Sequence, residues 1–234
     1  MARDILKRKA AECALSYVQD GMTLGLGSGS TSAQFIEMLG QRIRSGNLRD
    51  IYAVPTSEKC ARLARRAHIP LTSLDEHPVL DLAVDGADEV DPDLNLIKGL
   101  GRALLREKIV EIHAAKLVIV VDETKLVSRL GTKGPLPVEI VPFEYGAHVR
   151  WLESLGCQVK LMLDRDDQPA VTDNGNYLAC CYFAGGLEDP FALARVLADR
   201  PGIVEHGLFL NMAHQVIVSG AQGIKILESR ASSA

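Results

Sequence analysis

The sequence predicts an α/β protein: a mostly parallel sheet with helices on both faces, followed by an inserted ferredoxin-like α+β domain. Two observations predict it. Short apolar runs alternate with segments of helical spacing as far as Val121, the pattern of a parallel sheet whose crossovers are helices. Past Gly131 the pattern changes, Gly134-Pro135-Leu136-Pro137 reads as a boundary, and the elements that follow run β-α-β-β-α-β, the order of a ferredoxin-like domain.

Each element has its own signal. Residues 3–18 place Ile5, Ala10, Cys13, Ala14, Tyr17 and Val18 at helical spacing, and Asp20-Gly21 ends that helix. Met22–Leu26 is a short buried strand, the glycine-rich residues 25–29 a turn, and Thr31–Leu39 a helix. Ile51–Val54 is a strand, and Ser57 is a candidate N-cap for a helix reaching about His68. Leu80–Val84 is a strand, Arg102–Ala115 a helix and Leu117–Val121 a β-branched strand. In the second part, Val138–Val141 and Gln158–Leu163 are strands around a helix at Tyr145–Leu155. Val171–Thr172 and Tyr177–Phe183 flank the hairpin turn Asp173-Asn174-Gly175. Asp189-Pro190 opens a helix to about Leu197, with Asp at the N-cap and Pro at N1, and Ile203–Phe209 closes the run. Val216–Ser219 and Ile224–Leu227 are short strands able to rejoin the first sheet.

Composition narrows the function classes. The 234 residues are 47% hydrophobic and 24% charged with net charge −4, so the basic excess of a nucleic-acid binder is missing and an anionic ligand needs a local site. Five cysteines without Cys-x-x-Cys spacing, and six histidines without ligand spacing, speak against a disulfide framework or a zinc site. No signal-like or membrane-spanning apolar stretch is present. The expected compartment is the cytoplasm.

Three segments carry chemistry. Gly25-Leu26-Gly27-Ser28-Gly29-Ser30-Thr31 turns from a strand into a helix. Such a turn aims backbone N–H groups at one point beside the positive helix end, a phosphate cradle. It reads equally as a tight glycine turn capped by Ser30 or Thr31. A dinucleotide fingerprint needs glycine where Ser30 stands, and a Walker A loop needs a lysine that is absent. The second segment, Val84-Asp85-Gly86-Ala87-Asp88-Glu89-Val90-Asp91, puts Asp85 at the carboxyl end of a buried strand, where α/β sheets bind ligands. Its acids suit Mg²⁺, sugar hydroxyls or acid–base work, or else a solvated turn. In the third, Lys98-Gly99-Leu100-Gly101 enters a helix carrying Glu107, whose neighbours Ala103, Leu104, Val110 and Glu111 include no cation. A carboxylate on an apolar stripe is either a desolvated proton shuttle or the partner of a distant arginine.

These segments, in this order, resemble the ribose-5-phosphate isomerase A family. The similarity continues through Val121-Asp122-Glu123-Thr124-Lys125, Pro135-Leu136-Pro137-Val138-Glu139, Val171-Thr172-Asp173-Asn174-Gly175-Asn176 and Pro201-Gly202-Ile203-Val204 with Gly207-Leu208-Phe209. It covers nearly the whole chain. The resemblance implies a Rossmann-like catalytic domain over 1–130 and 208–234, with the ferredoxin-like domain over 131–207. It implies a homo-oligomer, a dimer before a tetramer, with no metal and no cofactor. It also implies an aldose–ketose isomerase interconverting ribose 5-phosphate and ribulose 5-phosphate in the pentose phosphate pathway.

Residue by residue, the resemblance makes Glu107 the base and gives Asp85 ring opening. It gives Asp88 the sugar hydroxyls and Lys98 the enediolate oxygen. Ser28, Gly29, Ser30, Thr31 and Lys125 hold the phosphate. Gly86, Ala87, Gly99, Leu100 and Gly101 complete the contacts. The glycine loop is often richer in glycine in this family; here Leu100 and Arg102 interrupt it, so Leu100 points away from the ligand or the fit differs. Two rivals remain at this stage: a sugar-phosphate-sensing module, for which no DNA-binding segment is visible, and a nicotinamide-dependent oxidoreductase, disfavoured by Ser30 and by the lack of an acid at Val54.

Overall fold

The computed structural model describes residues 2–229. From the amino end run α1 (Ala2–Leu15), β1 (Thr23–Leu26), α2 (Ser30–Arg44), β2 (Tyr52–Pro55), α3 (Glu58–Arg66) and β3 (Leu82–Asp85). Two-residue strands β4 (Glu89–Val90) and β5 (Leu96–Ile97) precede α4 (Leu104–Ile112), β6 (Leu117–Asp122) and a 3-10 turn at Glu123–Lys125. Next come β7 (Leu136–Ile140), α5 (Tyr145–Glu153), β8 (Gln158–Leu161), β9 (Tyr177–Tyr182), α6 (Pro190–Ala198) and β10 (Ile203–His206). The chain ends with β11 (Leu208–Phe209), β12 (Gln215–Gly220) and β13 (Gly223–Glu228). It forms two compact units: one of residues up to Ala87, Arg106–Lys125 and from Asn211 on, the other of Asp88–Leu105 and Leu126–Leu210.

The first unit is built on a six-stranded sheet in the order β13-β12-β6-β3-β1-β2. All neighbours are parallel except the β12–β13 pair, so the last two strands do rejoin the first sheet and cap its edge. Alternation along the strands assigns the faces. Leu24, Leu26, Leu82, Val84, Val118, Val120 and Ile217 point into a large core with Ala10 and Ala14 of α1, Phe35 and Leu39 of α2, and Cys60 and Ala64 of α3. Gly25 faces the other way, toward Val110 of α4. Helices thus cover both faces. Connections leave β1 for β2 on one side, and the chain continues from β3 to β6 on the other. This makes the β1/β3 boundary a topological switch point, where ligands bind in such sheets.

The second unit holds a four-stranded antiparallel sheet in the order β10-β7-β9-β8. Numbered within the run β7-α5-β8-β9-α6-β10, that order is 4-1-3-2, the ferredoxin-like arrangement. Val138, Ile140, Leu152, Ala179, Cys181 and Leu197 form its core. Asp189 caps α6 by accepting from the Ala192 N–H at 2.9 Å, with Pro190 at the first helical position. A three-stranded ribbon, β11-β5-β4, completes this unit.

Several boundaries differ from the sequence reading. The expected helix Arg102–Ala115 runs only over Leu104–Ile112. Arg102 sits in the left-handed region with φ 66° and closes a turn by donating its N–H to Gly99 O, so Ala103 lies outside the helix. The expected strand Ile203–Phe209 breaks at Gly207, whose N–H turns aside to Pro137 O; β10 and β11 then join different sheets. The turn at Asp173-Asn174-Gly175 forms, with Gly175 at φ 81°, but its first arm contributes only the bridge Val171–Tyr177. The main partner of β9 on that side is β8.

Candidate active site

In the first unit the carboxyl ends of parallel neighbours bring three loops to one sheet edge. The glycine turn follows β1, Asp85 ends β3 and leads into Gly86-Ala87, and Glu123–Lys125 follow β6. Gly27 donates its N–H to Val84 O at 3.0 Å across the β1/β3 boundary. A Cβ on Gly27 would fall 2.0 Å from Asp85 Cγ, so only glycine admits that carboxylate. Asp85 is 1% exposed. Its Oδ1 accepts from Ser32 Oγ at 3.0 Å and from the Gly86 N–H at 2.6 Å, which fixes its direction.

The turn itself has the form of an anion cradle. Gly29 is the N-cap of α2 at φ 111°, and no side chain caps the helix. Capping by Ser30 or Thr31, the alternative left open by the sequence, is therefore not what is found. The first-turn N–H groups carry the partial positive charge of the helix end. Ser30 is exposed, and Ser28 and Thr31 are half-buried. Ser28 Oγ donates to Ser57 Oγ at 2.8 Å and lies 2.9 Å from Thr56 Oγ1. Ser57 also caps α3 through the Cys60 N–H, as its sequence position predicted.

Thr56, Ser57 and Ser32 were not singled out as site residues from the sequence. Their signal was weak: Pro55-Thr56-Ser57 follows a strand, but only the sheet order reveals that this strand is the neighbour of β1.

Glu107 lies in the first turn of α4 and is 4% exposed. The far end of that helix is tied to the start of β3, with Leu80 N–H donating to His113 O and Ala115 N–H to Leu80 O. The helix therefore runs against the strands, and Glu107 sits toward their carboxyl ends. Charge reports the same neighbourhood. Burial pushes the Cys60 thiol up to about 12, and the carboxylates of Asp85 and Glu107 add to that rise. The exposed pair Arg106–Glu58, at 2.9 Å, links α4 to α3.

The second unit carries the remaining candidates. Lys98 is 2% exposed; its N–H donates to Gly207 O at 2.9 Å and its Nζ lies 5.2 Å from the centre of the Phe209 ring. Asp88 donates its N–H to Ile97 O, and its Oδ2 accepts from the Leu100 N–H at 3.0 Å. Leu100 thus serves the loop through its backbone while its side chain is exposed. Gly99, at φ 115°, packs against Leu104 where a Cβ would come within 2.7 Å; Gly101 has no such constraint.

The acidic run is divided among separate tasks. Glu89 accepts from the N–H groups of Gly131, Lys133 and Gly134 at 2.5, 2.7 and 2.8 Å, anchoring that loop. Asp91 accepts from Asp93 and Asn95 and shapes its own turn. Among the described residues no three His, Cys, Asp or Glu side chains cluster as metal ligands.

Known proteins share this sequence and architecture. The family model for ribose 5-phosphate isomerase A (phosphoriboisomerase A) matches residues 52–223. Ribose-5-phosphate isomerase A of Roseiflexus castenholzii is 50% identical over 224 residues, spanning 96% of this chain and 95% of that protein. A probable chloroplastic ribose-5-phosphate isomerase of Arabidopsis thaliana is 48% identical over 232 residues, spanning 97% and 84%. Among solved structures, a D-ribose-5-phosphate isomerase in complex with phospho-erythronic acid superposes with a TM-score of 0.94 at 42% identity, covering 97% of this chain and 100% of that one. The Plasmodium falciparum ribose 5-phosphate isomerase gives 0.94 at 37% identity, covering 97% and 99%. The chain belongs to the ribose-5-phosphate isomerase A family.

Proposed function

We propose that Glu107 is the base that carries a proton between C2 and C1 of the open-chain sugar phosphate. The activity is that of a ribose-5-phosphate isomerase of the pentose phosphate pathway. The reaction removes a proton next to a carbonyl, passes through an enediolate and returns the proton to the neighbouring carbon. One carboxylate can do both transfers. The observation that carries this reading is the near-complete burial of Glu107 in the first turn of α4, pointed by that helix toward the sheet edge that holds Asp85 and the glycine turn.

The other roles follow from the same chemistry. The uncapped start of α2, with Ser28 to Thr31, takes the 5-phosphate, joined by Lys125. Binding of that remote group orients the reacting carbons. Asp85, held by Ser32 and Gly86, exchanges the proton that opens the sugar ring, and Asp88 holds sugar hydroxyls. Lys98 supplies the fixed positive charge for the developing oxyanion, so no metal is needed on this reading. Gly86, Ala87, Gly99, Leu100 and Gly101 contribute backbone contacts. A structural relative in complex with phospho-erythronic acid, a four-carbon acid phosphate, supports a sugar-phosphate ligand here. The proposed assembly is a homodimer and the proposed compartment the cytoplasm; among the described residues no helix is long and apolar enough to cross a membrane.

Glu107→Gln tests the assignment. Turnover in a coupled assay with ribose 5-phosphate falls by about 10²–10⁴, the usual contribution of a positioned acid–base group, while calorimetry shows phospho-erythronic acid still bound. Turnover near that of the parent would remove Glu107 from the base role.

A further inference from the structure

We propose that Phe209 is a positioning residue for the isomerisation: its ring face holds the Lys98 ammonium. The inference deepens the assignment of Lys98 to the oxyanion and rests on it.

The register of the small ribbon carries the proposal. Leu208 pairs with Ile97 and Phe209 with Leu96, antiparallel. One step further along, Lys98 N–H donates to Gly207 O at 2.9 Å, so Lys98 stands opposite Gly207. Alternation then puts Lys98, Gly207 and Phe209 on one face, with Phe209 the diagonal neighbour of Lys98. A Cβ at position 207 would fall 2.2 Å from Lys98 O and 2.9 Å from Pro137 Cδ, so only glycine fits there. Gly207 is in turn pinned by its N–H to Pro137 O at 2.8 Å, on the ferredoxin-like sheet. The lysine backbone is thereby anchored to β7, and its Nζ lies 5.2 Å from the ring centre of a fully buried Phe209.

Such an arrangement suits a lysine that must meet a charge formed only during reaction. A four-carbon stem is flexible, and a buried ammonium has lost hydration. The negative face of a ring attracts the cation without bringing a formal negative charge of its own. The cation is thus held in place before the oxyanion develops, as electrostatic stabilisation requires.

The test replaces Phe209 with mono-, di- and trifluorophenylalanine, which keep the ring's shape and drain its face of negative charge. The expected result is a stepwise fall of kcat and kcat/KM together, reaching roughly two- to thirty-fold, the range of a cation–π contact, with KM and melting temperature steady. Two further arms separate this inference from the reading beneath it. Lys98→Met should itself lose turnover, and fluorination in the Lys98→Met background should have no further effect. An unchanged kcat across the fluorinated series, with Lys98→Met inactive, overturns the role of Phe209 and leaves that of Lys98. Fluorination that lowers kcat equally in the Lys98→Met background also overturns it. Full turnover in Lys98→Met removes the Lys98 assignment and the Phe209 proposal with it.

Discussion

Ser32 and Cys60 show how single side chains tune the first unit. Ser32 is 1% exposed and spends its hydroxyl on Ser28 O at 3.2 Å and Asp85 Oδ1 at 3.0 Å, tying the glycine turn to Asp85. Ser32→Ala removes one hydrogen bond to a charged group, worth about 1.5–3 kcal/mol. Steady-state kinetics should show a loss of roughly ten- to a hundredfold in kcat/KM by that measure; unchanged kinetics would mean that Asp85 is held without it. Cys60 is buried, with its thiol donating to Leu26 O. Its pKa stands at about 12 against an ordinary 9.0. Between those values the unfolded chain gives up the thiol proton and the folded chain keeps it. The folded state then binds more protons, so stability falls as pH rises through that window and is unaffected below it. Melting temperature plotted against pH should drop less steeply above pH 9.0 in Cys60→Ser, whose hydroxyl can still donate to Leu26 O. A curve as steep as the parent's would show that Cys60 does not shape the alkaline limb.

At the level of elements, α4 is placed by the absence of a side chain. A Cβ on Gly25 would lie 2.9 Å from both Ala83 Cβ and Val110 Cγ1, and Val110 is one helical turn from Glu107. Gly25→Ala should therefore push α4 off the sheet, lowering stability by about 1–3 kcal/mol through overpacking and reducing kcat along with it. Thermal melts and kinetics of that variant check both effects; a full kcat would uncouple the helix seat from catalysis. The strands around this seat were legible because Leu82–Val84 and Leu117–Val121 are continuous apolar runs, and the caps at Ser57 and Asp189 were legible from residue type. The ribbon β4-β5-β11 was not, since two-residue strands have no period to read and are defined by partners distant in sequence. For the same reason Phe209 read as the end of one strand rather than as a partner of Lys98. The late start of α4 was hidden because Arg102 is an ordinary helix former, overridden here by the turn to Gly99.

For the whole molecule, topology explains why residues scattered in sequence reach one sheet edge. The strand order β2-β1-β3-β6 within the large sheet puts Ser28, Asp85 and Lys125 at or just past the carboxyl ends of adjacent parallel strands, and the crossover helix α4 delivers Glu107 to the same edge. Motif and strand end disclosed the glycine turn and Asp85 from the sequence alone. Helical spacing left Glu107 open between a proton shuttle and an ion pair, and resemblance supplied its role. The hydroxyls of Thr56 and Ser32 needed the sheet order, because nothing local ties position 56 to position 28. The catalytic claim is tested most directly by isotope exchange. In D2O, the parent enzyme should wash solvent deuterium into the carbon-bound position of the sugar phosphate, followed by proton NMR. Glu107→Gln should bind phospho-erythronic acid yet leave that position protonated on the same timescale. Deuterium entering at the parent's rate in the variant would contradict the account.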